Sequence, residues 1–162
     1  MSYSQTTGRE FAVSLSLAVA GAGRYRDIVT AERGAEIREA LDPDALLAGH
    51  YNGARVFLAD DYLSGYAIRE DGDLVSVWSA VKGRGDELVE SAVANGAARL
   101  DCFDGYLPKF YARHGFVVDH REANWTPGGP DVVYMTREKD VRGCSCGMAD
   151  YGARGHDGGA PY

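Results

Sequence analysis

The most informative stretch of this sequence is Leu107-Pro108-Lys109-Phe110-Tyr111-Ala112-Arg113-His114-Gly115-Phe116. Its first part predicts a short aromatic helix, and the Gly-Phe pair predicts the end of that helix and the start of a strand. About twenty residues earlier, Gly83-Arg84-Gly85 predicts a tight turn that opens another helix. Such a turn is often a plain connection. Because glycine lets backbone amides approach an anion closely, a turn of this kind at a helix start also suits an anion such as a pyrophosphate.

The composition limits the class of protein. The chain has 162 residues, of which 45% are hydrophobic, so it can bury one core and we predict a single domain over residues 1–137. Its formal net charge of -7 opposes a protein that mainly binds nucleic acid, because phosphate binding needs a concentrated cationic face. The apolar run 11–20 lacks the positive flank of a signal peptide and is too short to span a bilayer, so we expect no membrane partner.

The cysteines indicate a reducing compartment. Their number is odd, and Cys144 and Cys146 are one residue apart, so a cytoplasmic location is predicted rather than a secreted disulfide framework. Cys102 is expected in a strand, where a buried thiol is usually inert packing. The Cys144 and Cys146 pair, with His156 downstream, lacks the paired spacing of a structural zinc site, so no metal is assigned. Residues 138–162 lose periodicity and are rich in glycine, which predicts a flexible tail.

Periodicity and turn residues predict an α/β chain. Thr7-Gly8-Arg9-Glu10 has the form of a helix capping box, although alternation in the residues that follow also allows a strand. Further helices are predicted over 31–41, 43–47, 86–95 and 107–114, and strands over 54–59, 63–69, 74–79, 99–103, 116–121 and 131–136. The strand, helix and strand within 74–103 have the lengths of a right-handed crossover with parallel strands, whose helix would begin at the ligand-binding end of the sheet.

The two quoted segments resemble the cofactor motifs of the GCN5-related N-acetyltransferases, the GNAT family. In that family Gln/Arg-x-x-Gly-x-Gly/Ala binds the pyrophosphate of acetyl-CoA, and here the segment reads Ala80-Val81-Lys82-Gly83-Arg84-Gly85. Both glycines match, whereas Ala80 replaces the leading Gln or Arg. The family's downstream pattern ends in Tyr-x-x-x-Gly-Phe, which is intact here, while Asp104 and Leu107 replace its leading Asn and Ala. The resemblance extends over about residues 56–137, a stretch also similar to short acetyltransferase-like proteins of bacteriophages.

The resemblance implies an acyl-CoA N-acyltransferase fold, with a mixed central sheet flanked by helices, and acetyl-CoA as the cofactor. The pantetheine arm would pair with the strand backbone over 77–81, which includes Val77, Ser79 and Val81. The pyrophosphate would bind at the turn and helix start, with Lys82 and Arg84 supplying the positive charge that is missing at Ala80; the residues of this segment are Lys82, Gly83, Arg84, Gly85 and Asp86. The implied setting is the cytoplasm of a bacterium or of a phage-infected host.

The implied reaction is direct attack of an amine on the thioester of acetyl-CoA, which needs a base, an oxyanion donor and an acid for the departing thiolate. Tyr111 stands at the position whose hydroxyl commonly protonates or hydrogen-bonds the CoA sulfur in the family. The alternative is a core tyrosine that packs beside Phe110 and Phe116. Asp101 and Asp104 lie at or after the strand 99–103, and either is a candidate base acting through water, although Asp104 also suits the cap of the next helix.

The acceptor is expected beside the loop 124–130, since in the family the connection between the last two strands borders the acceptor groove. Asn124 and Trp125 are therefore candidate substrate residues, with Trp125 either an exposed platform or folded onto the sheet edge. The acceptor would be an amine on a small molecule or a protein. Two other functions stay open: a GNAT-fold phage protein with weak or no catalysis that binds a host partner, supported by Ala80, and a GNAT-related enzyme that modifies nucleobases.

Overall fold

The structure is a computed structural model that describes residues 1–21, 36–40 and 42–137. These residues form two compact units, Met1–Ala97 and 98–137. Most of the predicted helix over 31–41 lies outside the described residues, and its described part is helical over 36–39. The predicted tail 138–162, with Cys144 and Cys146, also lies outside them. The single domain over 1–137 stays a prediction.

The first unit is built on a four-stranded antiparallel sheet in the order β1-β2-β3-β4. Its strands are β1 (Tyr3–Thr6), β2 (Arg55–Ala59), β3 (Ser64–Ile68) and β4 (Leu74–Ser79). The turn between β3 and β4 has Gly72 at a φ of 87°, a backbone conformation that favours glycine. The three predicted strands are thus confirmed, and β1, which no sequence pattern singles out, adds a fourth beside β2.

Two helices of the first unit pack together, α1 (Gly8–Ala20) and α2 (Pro43–His50). The helical alternative at residues 7–10 is the one adopted: Thr7 is the N-cap of α1, and its hydroxyl accepts from the Glu10 amide at 3.1 Å. The apolar face of α1 then packs with α2 and the sheet, because its side chains recur at helical spacing. The core of this unit includes Phe11, Leu15, Val19, Leu47, Tyr51, Val56, Leu58, Val75 and Trp78.

A third helix, α3 (Gly85–Ala94), contacts β3 and β4 of the same unit. Its apolar face is buried through Leu88, Val89 and Ala92. Near its end, the hydroxyl of Tyr66 on β3 lies 2.6 Å from Oγ of Ser91 and accepts from the Asn95 side-chain amide at 3.0 Å. This half of α3 is therefore fastened to the sheet by polar as well as apolar contacts.

The second unit has a three-stranded antiparallel sheet in the order β5-β7-β6 and one helix. Its elements are β5 (Arg99–Phe103), α4 (Tyr106–Ala112), β6 (Phe116–Glu122) and β7 (Val132–Arg137). The helix contacts β5 and β6. The four predicted elements of this region are confirmed, with ends that differ by one or two residues, as is usual for frayed boundaries.

The pairing predicted for β4 and β5 is wrong. They were expected as a parallel pair, but they belong to different sheets, and every neighbouring pair in both sheets is antiparallel. The reason is that each strand has an antiparallel partner within its own unit. β4 pairs with β3 across a short turn, and β5 pairs with β7, the returning strand of the β6–β7 hairpin.

Candidate functional site

The turn before α3 has the geometry of an anion site. Gly83 has a φ of 91°, and a Cβ added there would meet no atom within 4 Å, so the turn is open as well as left-handed. Arg84 is the N-cap of α3, and no described side chain caps the first-turn amides. An uncapped helix start presents free N–H groups and a partial positive charge. The predicted residues 83–85 thus form a turn suited to a phosphate group.

The side chain of Arg84 is already engaged within the first unit. Its Nη1 donates to Oδ1 of Asp61 at 2.9 Å and its Nη2 to Oδ2 at 2.6 Å, and Nη1 also lies 3.1 Å from Oγ of Ser64. This bidentate pair lowers the pKa of Asp61 and raises the pKa of Arg84 through the hydrogen bonds that join them. Lys82 is the other cation beside the turn. Its side chain is exposed, and no hydrogen bond described within residues 1–137 engages its ammonium group.

The segment that follows β4 is held by the side chain of Ser79. Oγ of Ser79 donates to the carbonyl of Val81 at 2.6 Å and accepts from the Val81 amide at 3.0 Å. The Ala80 amide donates to the carbonyl of Leu63 at 2.7 Å. Val81 therefore has both backbone groups occupied, which opposes its predicted pairing with a pantetheine arm. Val77 and Ser79 lie on β4, at one end of the strand order, where alternate backbone groups are not used by β3.

A β-bulge in β4 is the feature that sequence reasoning missed. Ser76 and Val77 stand together opposite Tyr66 of β3, and Ser76 has a φ of 54°, which is uncommon for a residue with a side chain. A bulge interrupts the ladder and turns backbone groups out of it. A weak signal exists in the sequence, because the polar residues Ser76 and Ser79 are three apart, whereas strict strand alternation would place them two or four apart.

Tyr111 lies in the core of the second unit. It is fully buried on α4, with its ring edge-on to Phe110 and Phe116 at centroid distances of 5.1 and 5.9 Å. This is the packing expected of a core tyrosine, the alternative to a catalytic acid. Its role as an acid stays a prediction. At the start of the same helix, Tyr106 is 65% exposed and stacks on Phe110.

The two candidate bases differ in their surroundings. Asp101 is buried on β5, whereas Asp104 is exposed after the strand and pairs with Arg121, whose Nη1 lies 3.1 Å from its Oδ2. That hydrogen bond lowers the pKa of Asp104 and makes it a weaker base. Asp104 is not the cap of α4, because Gly105 holds the N-cap position and no side chain accepts from its first turn. Cys102 lies on β5 between these two carboxylates in the sequence. Burial raises the pKa of its thiol to about 12, which suits an inert packing residue.

The loop between β6 and β7 is held by Asn124. Its Nδ2 donates to the carbonyl of Pro130 at 2.7 Å, and its Oδ1 accepts from the Thr126 amide at 2.7 Å. Both ends of the amide are used inside the loop, so Asn124 shapes the loop rather than offering its amide to a ligand. Trp125 is 68% exposed, and its ring lies 5.9 Å from that of Phe103. The exposed alternative for Trp125 is therefore the one adopted.

The described ranges contain neither a cluster of metal-ligating side chains nor a helix suited to span a membrane. No group of three or more histidine, cysteine or carboxylate side chains is arranged there to hold a metal ion. Among those residues, no helix has the length and apolar character needed to cross a membrane.

Comparison with known proteins identifies the fold. The chain is similar to a GCN5-related N-acetyltransferase, Aminotransferase Class-II, from Rhodopseudomonas palustris, with a TM-score of 0.56 and 20% identity over 85% of this chain and 95% of that one. It is also similar to a protein assigned to the GNAT acetyltransferases from Desulfovibrio desulfuricans, with a TM-score of 0.54 and 17% identity over 84% and 98%. The sequence matches no protein-family model and no curated protein. The predicted fold class is thus confirmed: the chain has the α/β fold of the GCN5-related N-acetyltransferases.

Proposed function

We propose that this protein is an N-acetyltransferase that moves an acetyl group from acetyl-CoA to an amine. The observation that carries the proposal is the open glycine turn at the uncapped start of α3, which follows the bulged strand β4. Fold alone does not assign activity, so the argument rests on this site. The GNAT fold supports it, because the two solved structures that share this fold carry the names N-acetyltransferase and acetyltransferase.

The cofactor would be held by backbone more than by side chains. The amides of Gly83, Arg84, Gly85 and Asp86 would face the pyrophosphate, with the ammonium of Lys82 adding charge. The backbone of Val77 and Ser79 would meet the pantetheine arm. Val81 would contribute through its position at the end of the strand, since its own amide and carbonyl are bonded to Ser79.

The chemical step would be direct transfer. The amine nitrogen attacks the thioester carbon, a C–N bond forms, and the C–S bond breaks. The proton lost by the amine goes to a base, and the departing thiolate receives a proton from the Tyr111 hydroxyl, which solvent then restores. We assign the oxyanion donor to the backbone amide at the bulge, near Val77, since a bulge frees backbone groups from the ladder.

The base is proposed among Asp101 and Asp104. Arg121 keeps Asp104 ionised, so it can accept a proton, but its lowered pKa makes the transfer less favourable. Asp101 is only 2% exposed, so we propose that it would reach the amine through a single bound water molecule rather than by direct contact. Separate Asp101→Asn and Asp104→Asn variants distinguish them, because only loss of the true base removes the acidic limb of the kcat/KM profile. Trp125 is proposed to contact the acceptor from the β6–β7 loop.

The experiment that tests this function is calorimetric titration with acetyl-CoA and with free CoA. Gly85→Val is the matched variant, because Gly85 has no positive φ and the fold should tolerate a side chain there. Micromolar binding that weakens at least about tenfold in Gly85→Val supports the cofactor site. Thiol release is then measured with a panel of amines. Absence of heat with a folded wild-type protein contradicts the proposal.

A second function is favoured by one observation. Ala80 provides no side-chain cation, and Arg84 is bound by Asp61, so the turn has less free positive charge than the family motif implies. This favours a protein of the GNAT fold that has little or no catalytic activity and acts by binding a partner. An example is a phage protein that binds a protein of its host. The titration decides between the two. A nucleobase-modifying enzyme is opposed by the net charge of -7 and would require salt-sensitive DNA binding.

A further inference from the structure

The pair formed by Arg84 and Asp61 joins the start of α3 to the turn between β2 and β3. Both guanidinium nitrogens are used, at 2.9 and 2.6 Å from the two carboxylate oxygens. The side chain of Arg84 is only 12% exposed and that of Asp61 36%. A bidentate pair whose guanidinium is mostly shielded from water fixes geometry better than a single contact between two solvated side chains.

The anchor point on the sheet is itself rigid. Nη1 of Arg84 also lies 3.1 Å from Oγ of Ser64, the fully buried first residue of β3. The same Oγ is 3.0 Å from the hydroxyl of Tyr3 on β1. The Leu63 amide is bonded to Oδ1 of Asp61 at 3.1 Å, which fixes the carboxylate. Arg84 is thus attached to two groups, the Asp61 carboxylate in the β2–β3 turn and the Ser64 hydroxyl on β3, rather than to one mobile side chain.

This attachment acts on the backbone that the cofactor would meet. The first hydrogen bond of α3 runs from the Leu88 amide to the carbonyl of Arg84 at 3.0 Å. The other end of the helix is held by Tyr66 through Ser91 and Asn95. Fixing Arg84 therefore fixes the start of the helix at one end, as Tyr66 does at the other.

We propose that Asp61 is a positioning residue for the cofactor turn: it holds the Arg84 guanidinium on the sheet, so that the backbone amides of 83–86, and not this side chain, meet the pyrophosphate. This inference rests on the proposed function. Its physical basis is preorganisation, because a turn that is already ordered loses less conformational freedom when it binds an anion. The competing view is that Arg84 leaves Asp61 and pairs with a phosphate.

The two views predict opposite effects of Asp61→Asn. If Asp61 positions the turn, the variant binds acetyl-CoA about three- to tenfold more weakly, with KM raised and kcat unchanged. If the carboxylate merely competes for Arg84, freeing the guanidinium tightens binding. Asp60→Asn is the matched control, because it removes one negative charge at the next, exposed residue and should leave the Kd within about twofold. Tighter binding by Asp61→Asn overturns the proposal.

A double-mutant cycle isolates the pair. Arg84→Gln is expected to weaken binding as Asp61→Asn does, and the double variant should bind no more weakly than Arg84→Gln alone, because both remove the same link. Additive losses would mean that Arg84 contacts the cofactor independently and would overturn the proposal. Thermal unfolding of each variant checks that the first unit remains folded.

A measurement on the free protein separates this inference from the function itself. Amide exchange of Leu88, followed by NMR, should accelerate at least about threefold in Asp61→Asn and stay unchanged in Asp60→Asn. The Asn95 amide, which donates to Ser91 at the far end of α3, should be unaffected in both. Unchanged exchange at Leu88 contradicts the positioning role even if acetyl-CoA binds. If exchange accelerates but the wild-type protein binds no acetyl-CoA, the positioning of the helix start stands and the proposed function fails.

Discussion

The hydroxyl of Tyr51 donates a hydrogen bond of 2.9 Å to Oγ of Ser76, the bulged residue of β4. Tyr51 is the residue that ends α2, and its ring lies edge-on to Phe11 of α1 at 4.9 Å. The helical layer of the first unit is therefore bonded to Ser76, a strand residue whose φ of 54° lies outside the extended range. This bond offsets part of the cost of that conformation.

Removing the hydroxyl should loosen the bulge. Tyr51→Phe is expected to lower the free energy of unfolding by about 1 kcal/mol, because one part-buried hydrogen bond is lost while the ring packing is retained. Urea denaturation measures the change. Tyr62→Phe, at a tyrosine that is 52% exposed, serves as the control and should change stability very little. Equal stability of the two variants would show that Ser76 holds its conformation without Tyr51.

The glycine turn should resist a side chain for conformational reasons alone. Gly83→Ala is expected to cost about 1–2 kcal/mol, since the φ of 91° is strained for alanine even though the space is open. Gly49→Ala is the matched control: it lies within α2 with no atom near its Cβ and no positive φ, so alanine should be neutral or stabilising there. Chemical denaturation of both variants tests this. A loss of stability in Gly49→Ala as large as that in Gly83→Ala would contradict it.

Cys102 should be unreactive in the folded protein. Burial raises its pKa from 9.0 to about 12, so at pH 8 the thiolate fraction is about one in ten thousand. In a variant with Cys144 and Cys146 replaced by serine, alkylation at pH 8 should be far slower than in denaturant. Because the folded pKa is raised, the stability contributed is fully present below about pH 9 and is lost as the pH rises toward 12. Rapid labelling of the folded variant is the contrary result.

Arg121 should set the acidity of Asp104. The hydrogen bond from Arg121 is the main cause of the lowered pKa, so Arg121→Gln should raise it toward the ordinary value of 3.8. NMR titration of the carboxyl group measures this. The attraction stabilises the fold above pH 3.8 and is lost as the pH falls through the lowered pKa. Lys109→Gln is the control with a smaller shift, since Lys109 is the weakest of the causes. Equal shifts in both variants would remove the assignment to Arg121.

Tyr111→Phe tests the proposed acid. The variant should lower kcat about tenfold or more while changing the Kd for acetyl-CoA little, because the hydroxyl acts on the departing thiolate. The ring contacts with Phe110 and Phe116 do not involve the hydroxyl, so the fold should be retained. Circular dichroism checks that, and Phe110→Leu serves as a packing control. Unchanged turnover in a folded Tyr111→Phe variant would falsify the acid role.

Local sequence was sufficient for most elements. The capping residues at Thr7 and Asp42 both accept from the amide three residues ahead, as their positions before helices predict. The apolar run 56–58 of β2, the alternation in β3 and the aromatic spacing of α4 likewise predict elements whose ends differ little from the structure. The glycine turn and the Tyr-x-x-x-Gly-Phe spacing indicate the fold only through their resemblance to the GNAT motifs, and the two GNAT-fold structures that the chain resembles agree with it.

Other properties depend on residues far apart in the chain. Asp61 and Arg84 are 23 positions apart, and Tyr51 and Ser76 are 25 apart, so no local pattern shows that one engages the other. The use of the Asn124 amide inside its own loop likewise follows from where Pro130 comes to lie.

From the sequence alone follow the helices 8–20, 43–50, 85–94 and 106–112, most of the strands, the glycine turn and the resemblance to the GNAT family. Only the tertiary structure decided that β4 bulges at Ser76, that β4 and β5 have antiparallel partners, and that the Arg84 guanidinium is occupied by Asp61. The reason is that propensity and periodicity act over a few residues, whereas strand partners and side-chain pairs form only once distant segments are packed together.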